Sequence, residues 1–374
     1  MPSLTVPAIP HYQPAPPTNE ALDYADLAII DLSKASTTEG CAQLASQVRE
    51  AMSNMEHMFD IADIPFSQVS DEEKEKYVAP TKQTGSYQGY KLRQYWHIDS
   101  GDQVENYNIH RDVNRRAHPE ILRPLLPEIS LFARHSHENI LYPILRYLGI
   151  CAQVGRVDAK RISSYHPRRL MALGLELPED TLLNMHRWDS ESEQYVRFMK
   201  YFPRSADNEE KTGQIWLKGH TDIGTITILY SQPVAALQIL ARDGTWKWIK
   251  HIENAIVVNA GDALEFLSGG STAPPFIGGV IQPPKDQRGF TRLGIFYFCM
   301  TDDDIRLAPL TSSPVLQRIG IKRRFVRDEE APLMRDWRKA RTSAYGQTTL
   351  LKSDKERGVE EEIISGVVVI RHYN

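Results

Sequence analysis

His220 and Asp222 stand one residue apart in LKGHTDIGTITILY, residues 217–230. On a strand, residues i and i+2 point to the same face, so this imidazole and this carboxylate could hold one ion between them. The donor pair suits a borderline divalent metal, and a second histidine would complete a three-ligand face with open positions. An HxD pair close to a turn also arises through local hydrogen bonding, so the pair has to be read with the elements that carry it.

Those elements change character along the chain. Residues 1–24 hold six of the 23 prolines and read as an extended lead-in. The run LAIIDL, residues 27–32, predicts a short strand, while Thr37–Met58, Asp71–Tyr77 and Pro119–Leu148 have helical apolar spacing. Gly149–Arg169 breaks that spacing and reads as an inserted loop. Beyond Tyr195 come VRFMKYF, TITILY, ALQIL, TWKWI, AIVVNA, GGVIQPP and RLGIFYFCM, separated by Gly, Pro, Asn and Asp. Closely spaced strands of this kind predict an antiparallel sandwich or barrel. A helix around Trp337 and a strand-like GVVVI follow. The expected organisation is a lead-in over 1–24, a helical and strand region over 25–195, a β core over 196–310 and a helix and strand tail over 311–374.

Composition narrows the function classes. The 374 residues are 25% charged and 41% hydrophobic, with a net charge of -4, so no long-range field favours nucleic acid or an anionic membrane. The short basic run Lys322, Arg323, Arg324 reads as a solvated face. Cys41, Cys151 and Cys299 form no CxxC pair, which fits a reducing compartment. With no signal-peptide pattern and no long apolar run, a cytoplasmic protein without nucleic-acid or membrane partners is expected.

GHTDIGTITIL, followed by LQIL, GTWKWI, VVNAGDALEFLSGG, VIQPP and RLGIFYF, resembles the isopenicillin N synthase-like branch of the iron(II)/2-oxoglutarate dioxygenases. LAIIDLS and DEEKEKY look like that family's N-terminal region, and TSAYGQTTL with GVVVIRHYN looks like members from fungal natural-product pathways. The resemblance implies a mainly β fold with flanking helices around a double-stranded β-helix, or jelly roll. It also implies iron(II) and 2-oxoglutarate as cofactors, and a role in fungal secondary metabolism, meroterpenoid-type oxidation being one expectation.

Carried onto this chain, the first two iron ligands fall on His220 and Asp222. The third belongs to an HRV tripeptide, whose place reads GGV, so Gly278 and Gly279 stand where His and Arg are expected. His251 should face elsewhere, and Asp262, Glu265 and Asp286 sit at the wrong register to substitute. The family's RxS, which binds the 2-oxoglutarate carboxylate, falls on Arg292 and Gly294, keeping the cation and losing the hydroxyl. Lys200–Phe202, KYF, lies where relatives have NxY, which suggests a missing phenol. MEHMFDIADIP, residues 55–65, replaces the family's GFF and NHG.

The joint loss of a ligand, its neighbouring arginine and a cosubstrate hydroxyl points to a non-catalytic subunit in a heterodimer with a full-triad dioxygenase homologue. Its contacts are expected from Ile121–Leu148 and Trp337–Asn374, with Trp337, Tyr345 and Tyr373 as candidate anchors. The alternatives are an active iron(II)/2-oxoglutarate oxygenase, a hydroxylase or desaturase with a modified metal site, and a metal-free isomerase or cyclase. In each case the ligand expected is a small-molecule natural product.

Overall fold

The computed structural model describes residues 9–27, 56–93, 103–147, 175–178, 180–241, 243–270, 277–344, 351–354, 359–364 and 368–373. Residues 28–32 of the predicted LAIIDL strand, most of the Thr37–Met58 helix and the inserted loop 149–169 lie outside those residues.

Among the described residues, thirteen strands form two antiparallel sheets. The first runs β1 (Gly89–Lys91), β2 (Val104–His110), β3 (Tyr195–Tyr201), β10 (Arg292–Cys299), β5 (Ile226–Tyr230), β8 (Ile256–Ala260). The second runs β11 (Leu351–Lys352), β12 (Val359–Ile364), β13 (Val368–Tyr373), β4 (Ile215–His220), β9 (Gly278–Ile281), β6 (Leu237–Leu240), β7 (Trp246–Trp248). From β3 to β10 the chain passes back and forth between the sheets, with the β6–β7 hairpin as one visit to the second, as the jelly roll expected from the sequence requires. Each sheet also recruits strands from outside 196–310: β1 and β2 join β3, while the C-terminal hairpin β12–β13 extends the other sheet past β4.

Strand alternation sorts β10 into two surfaces. Leu293, Ile295, Tyr297 and Cys299 pack outward with Ile129, Leu141 and Ile144 from the helical run that covers the first sheet. Arg292, Gly294, Phe296 and Phe298 point the other way, between the sheets. Val104, Met199, Tyr201, Trp216 and Val280 fill one part of that interior, with Phe296 against them. Tyr195, Phe266, Phe298, Met334 and Trp337 fill another.

The helices hold this assembly in place. Residues 56–67 are helical and bury Met58, Ile61, Ala62 and Ile64, so the segment that replaced GFF and NHG serves as a packing helix. The Asp71–Lys76 helix is capped by Ser70, whose side chain accepts from Glu73 N–H. The run predicted over Pro119–Leu148 is helical in linked pieces, with Pro127 in the first turn of Leu126–His135, where no intrahelical N–H is needed. Trp337, expected as an interface anchor, is 2% exposed and meets Phe266 edge-on at 5.0 Å, so it fixes the Met334–Ala344 helix to its own barrel. Tyr345 lies outside the described residues, and Tyr373 pairs with Gly219 in the ladder. Among the described residues, no helix is long and apolar enough to cross a membrane.

Candidate metal and cosubstrate site

β4 ends at His220, and Asp222 follows in the turn towards β5. The His220 Nδ1 lies 2.9 Å from the Lys218 carbonyl oxygen. A carbonyl can only accept, so Nδ1 carries the proton and Nε2 presents a lone pair. That Nε2 is 3.8 Å from Asp222 Oδ1. The other carboxylate oxygen, Oδ2, accepts from Thr227 Oγ1 at 2.7 Å and from Asn259 Nδ2 at 2.9 Å. Each donor therefore has its outer atom fixed by a partner and its inner atom turned to the shared space, the arrangement that orients metal ligands. Burial, partly offset by Asp222, holds the imidazole below its ordinary pKa and favours the neutral, ligating form.

Register places the glycine read at the third position next to the pair. Gly278 is the β9 partner of His220, so it stands beside the pair, where a side chain would share their face, and offers none. The four neighbours weighed from the sequence, His251, Asp262, Glu265 and Asp286, are engaged elsewhere. His251 bonds Ser231 at 2.7 Å, Glu265 holds Arg324 at 2.6 Å and Asp286 accepts from Thr18 and Asn19 near the surface. Asp262 lies buried 3.5 Å from Arg341, and burial pushes its carboxyl up to about 6. Among the described residues, no group of three or more His, Cys, Asp or Glu is gathered as a metal site. His220 and Asp222 offer an imidazole nitrogen and a carboxylate oxygen of the kind iron(II) takes, and the β9 residue opposite His220 is a glycine.

Arg292 sits on the interior face of β10, opposite Tyr201 of β3, with its guanidinium carbon 5.5 Å from the Tyr201 ring. It is 3% exposed, its Nε has no hydrogen-bond partner, and no carboxylate among the described residues pairs with it. Burial lowers its pKa, the cost of a cation held out of water. The sequence expectation that a phenol is missing here is corrected by this register. Lys200 faces outward to Asp63, and the interior residues are Met199 and Tyr201, one position earlier than the KYF reading supposed. The loss at Gly294 carries a replacement: a Cβ there would lie 2.8 Å from Phe296 Cε2, so that ring fills the space a serine would take.

Sequence reasoning also missed Arg197, which lies between Asn108 Oδ1 at 2.6 Å and the Phe298 ring at 4.7 Å. The signal was available in YVRFMKY, whose alternate residues Tyr195, Arg197, Met199 and Tyr201 share the interior face.

Residues 193–301 match the profile of the 2OG-Fe(II) oxygenase superfamily. The chain has the fold of these oxygenases. Its relatives include a 2-oxoglutarate-dependent dioxygenase of Gibberella zeae, 39% identical over 97 residues, which are 26% of this chain and 28% of that protein. Gibberellin 2-beta-dioxygenase 2 of Arabidopsis thaliana is 35% identical over 98 residues, again 26% and 28%. Leucoanthocyanidin dioxygenase 2 of Oryza sativa is 29% identical over 203 residues, 53% of this chain and 48% of that one. The matches thus span under a third of the first two relatives and about half of the last. A full-length Neurospora crassa protein, solved in complex with alpha-KG and 5-formyluracil, shares the fold with a TM-score of 0.63 at 18% identity, over 87% of this chain and 99% of that one.

Proposed function

We infer that this protein is a 2-oxoglutarate-binding oxygenase of small-molecule natural products whose metal site has been remodelled. One observation carries the reading: a buried arginine faces Tyr201 between the sheets with no acidic partner among the described residues. A buried cation is costly unless an anion meets it, and a planar guanidinium matches a carboxylate in two-point geometry. The family implies iron(II) and 2-oxoglutarate as the groups, with His220 and Asp222 as the metal's protein ligands and Arg292 for the distal carboxylate. Bound iron supplies oxygen activation. The chain's residues position the donors, pair the carboxylate and close the interior with Phe296, Met199 and Trp216. Relatives named for gibberellin, naringenin and leucoanthocyanidin support a small natural product as substrate. The test is 2-oxoglutarate binding by calorimetry in chelator, then succinate formation with iron(II) restored. Binding that is absent, or unchanged in Arg292→Met, overturns the reading.

A second reading, a non-catalytic subunit paired with a full-triad homologue, is favoured by Gly278 opposite His220 and by the Phe296 ring over Gly294. Co-expression with such a homologue followed by light scattering separates the two. A stable heterodimer in which only the homologue forms succinate supports the second, and separate elution with succinate formed by this chain supports the first.

A further inference from the structure

We propose that the C-terminal strand supplies the missing ligand, so that His220, Asp222 and His372 bind one divalent transition metal. This deepens the reading above by assigning the third donor, and it begins from strand pairing. β13 joins β4 with Tyr373 opposite Gly219. Carried one residue further, that antiparallel register sets His372 level with His220 on the same face. On its other side His372 is paired with Glu360, whose carboxylate reaches Lys218 Nζ at 2.5 Å, so this row of the hairpin and the end of β4 face together. Glu360 pairs with His372, Gly278 pairs with both His220 and Ile239, and the Tyr373–Gly219 pair brings these two rows side by side. Position 372 flanks His220 on one side as position 278 does on the other.

The side chains agree with that order. His372 Nε2 is 3.3 Å from Glu362 Oε2, and Arg341 Nη1 is 3.4 Å from the same oxygen. The other terminal nitrogen of Arg341 donates to the carbonyl of Thr221, the residue between His220 and Asp222, at 3.1 Å. Glu362 is thus the buried anchor that parks His372 beside the pair, and Arg341 remains to neutralise the carboxylate when the imidazole turns away. The His372 ring has to rotate from Glu362 to the space where His220 Nε2 and Asp222 Oδ1 converge, a side-chain movement with the backbone row already in place. Two imidazoles and one carboxylate then give the three-ligand set that suits iron(II) and cobalt(II).

The experiment titrates the full-length chain, stripped with chelator, with cobalt(II) under anaerobic conditions, read by visible absorption and calorimetry. One cobalt per chain is expected. His372→Ala should weaken binding by more than about 100-fold, beyond the 10–100-fold that loss of an outer partner causes, and His220→Ala should match it. If the alanine variant folds poorly, His372→Gln keeps the size and a donor to Glu362 while removing the imidazole, and the same loss is expected. In His372→Cys, a thiolate-to-cobalt band in the near ultraviolet would report direct contact, which a purely structural role does not produce. Native affinity in both His372→Ala and His372→Gln overturns the proposal, as does a wild-type chain that binds no cobalt. Because 2-oxoglutarate binding through Arg292 is measured in chelator, that failure is distinguishable from failure of the functional reading.

Discussion

Replacing Arg292 by methionine should make the protein more stable and unable to hold 2-oxoglutarate. Arg292 is 3% exposed, and among the described residues its Nε is unpartnered and its guanidinium gains the Tyr201 ring at 5.5 Å. An uncompensated buried ion costs several kcal/mol after relaxation, and a desolvated cation–π contact returns about 2 kcal/mol. The net cost removed by Arg292→Met, which keeps an unbranched stem in the same channel, is therefore about 1–3 kcal/mol, or a few degrees in Tm for a chain of this size. The effect on ligand runs the other way. Truncating one member of a buried charge pair costs about 2–5 kcal/mol, which raises Kd by roughly 30-fold to several thousand-fold. For the native chain, 2-oxoglutarate at about 100 times Kd adds about 2.7 kcal/mol, and the variant loses that increment. Urea unfolding in chelator, with and without 2-oxoglutarate, reads both quantities from one series. A variant less stable than the native chain, with its 2-oxoglutarate increment intact, would refute the assignment of Arg292 as a stored, unpaired cation.

Gly278→His should raise iron(II) affinity at least about tenfold by adding an imidazole opposite His220, measured by anaerobic titration. Adding Gly279→Arg should reduce that gain, because a Cβ at 279 would lie 3.3 Å from Gly219 N and Leu217 O in the backbone of β4. Asn259→Ala frees one contact on Asp222 Oδ2 and should weaken metal binding about 10–100-fold, with little change in far-ultraviolet circular dichroism. Acid should unfold the chain early. Burial, with Arg111 adding to it, pushes His137 down to about 3, and burial pushes His186 down to about 4, both below the ordinary 6.5. Between about pH 4 and 6.5 the unfolded chain then binds more protons than the folded one, so stability falls as pH falls, by on the order of 4 kcal/mol at pH 5 for the two together. Urea midpoints at pH 7 and pH 5 check it, and His186→Gln should flatten the slope.

Much of the fold was legible because its signals are local. The alternation in VRFMKYF and RLGIFYFCM, the turn residues between strands and the helical spacing near Asp71 and Trp337 each depend on neighbours a few positions apart. His220 and Asp222 were legible for the same reason. What escaped was whatever register decides. A shift of one residue separates KYF, which points Lys200 out, from Met199-Lys200-Tyr201, which points a phenol at Arg292. Trp337 read equally well as a surface anchor or as a core residue, and only its contact with Phe266 chooses. His372 is 152 positions from His220 in the chain, and nothing but the β13–β4 pairing brings the two together.

That pairing also bears on the proposed ligand role of His372. Where the strand carrying His220 lies at a sheet edge, it has a single neighbour able to present a further ligand, and losing that side chain empties the site. Here β4 has two neighbours, β9 and β13. The hairpin that adds β13 also brings Glu360 to Lys218 and Glu362 to Arg341, so its acidic strand is held by cations on β4 and on the Met334–Ala344 helix. These are charge-assisted contacts to partly or fully buried groups, stronger than exposed pairs of the same geometry. A tail fixed in this way gives a side chain at 372 a defined position, which a ligand needs more than it needs any particular place in the sequence. The retained outer contacts on Asp222, from Thr227 and Asn259, are consistent with a carboxylate still held for coordination: a carboxylate freed from that role could turn to satisfy both oxygens locally, whereas here Oδ1 is left facing His220 Nε2 at 3.8 Å.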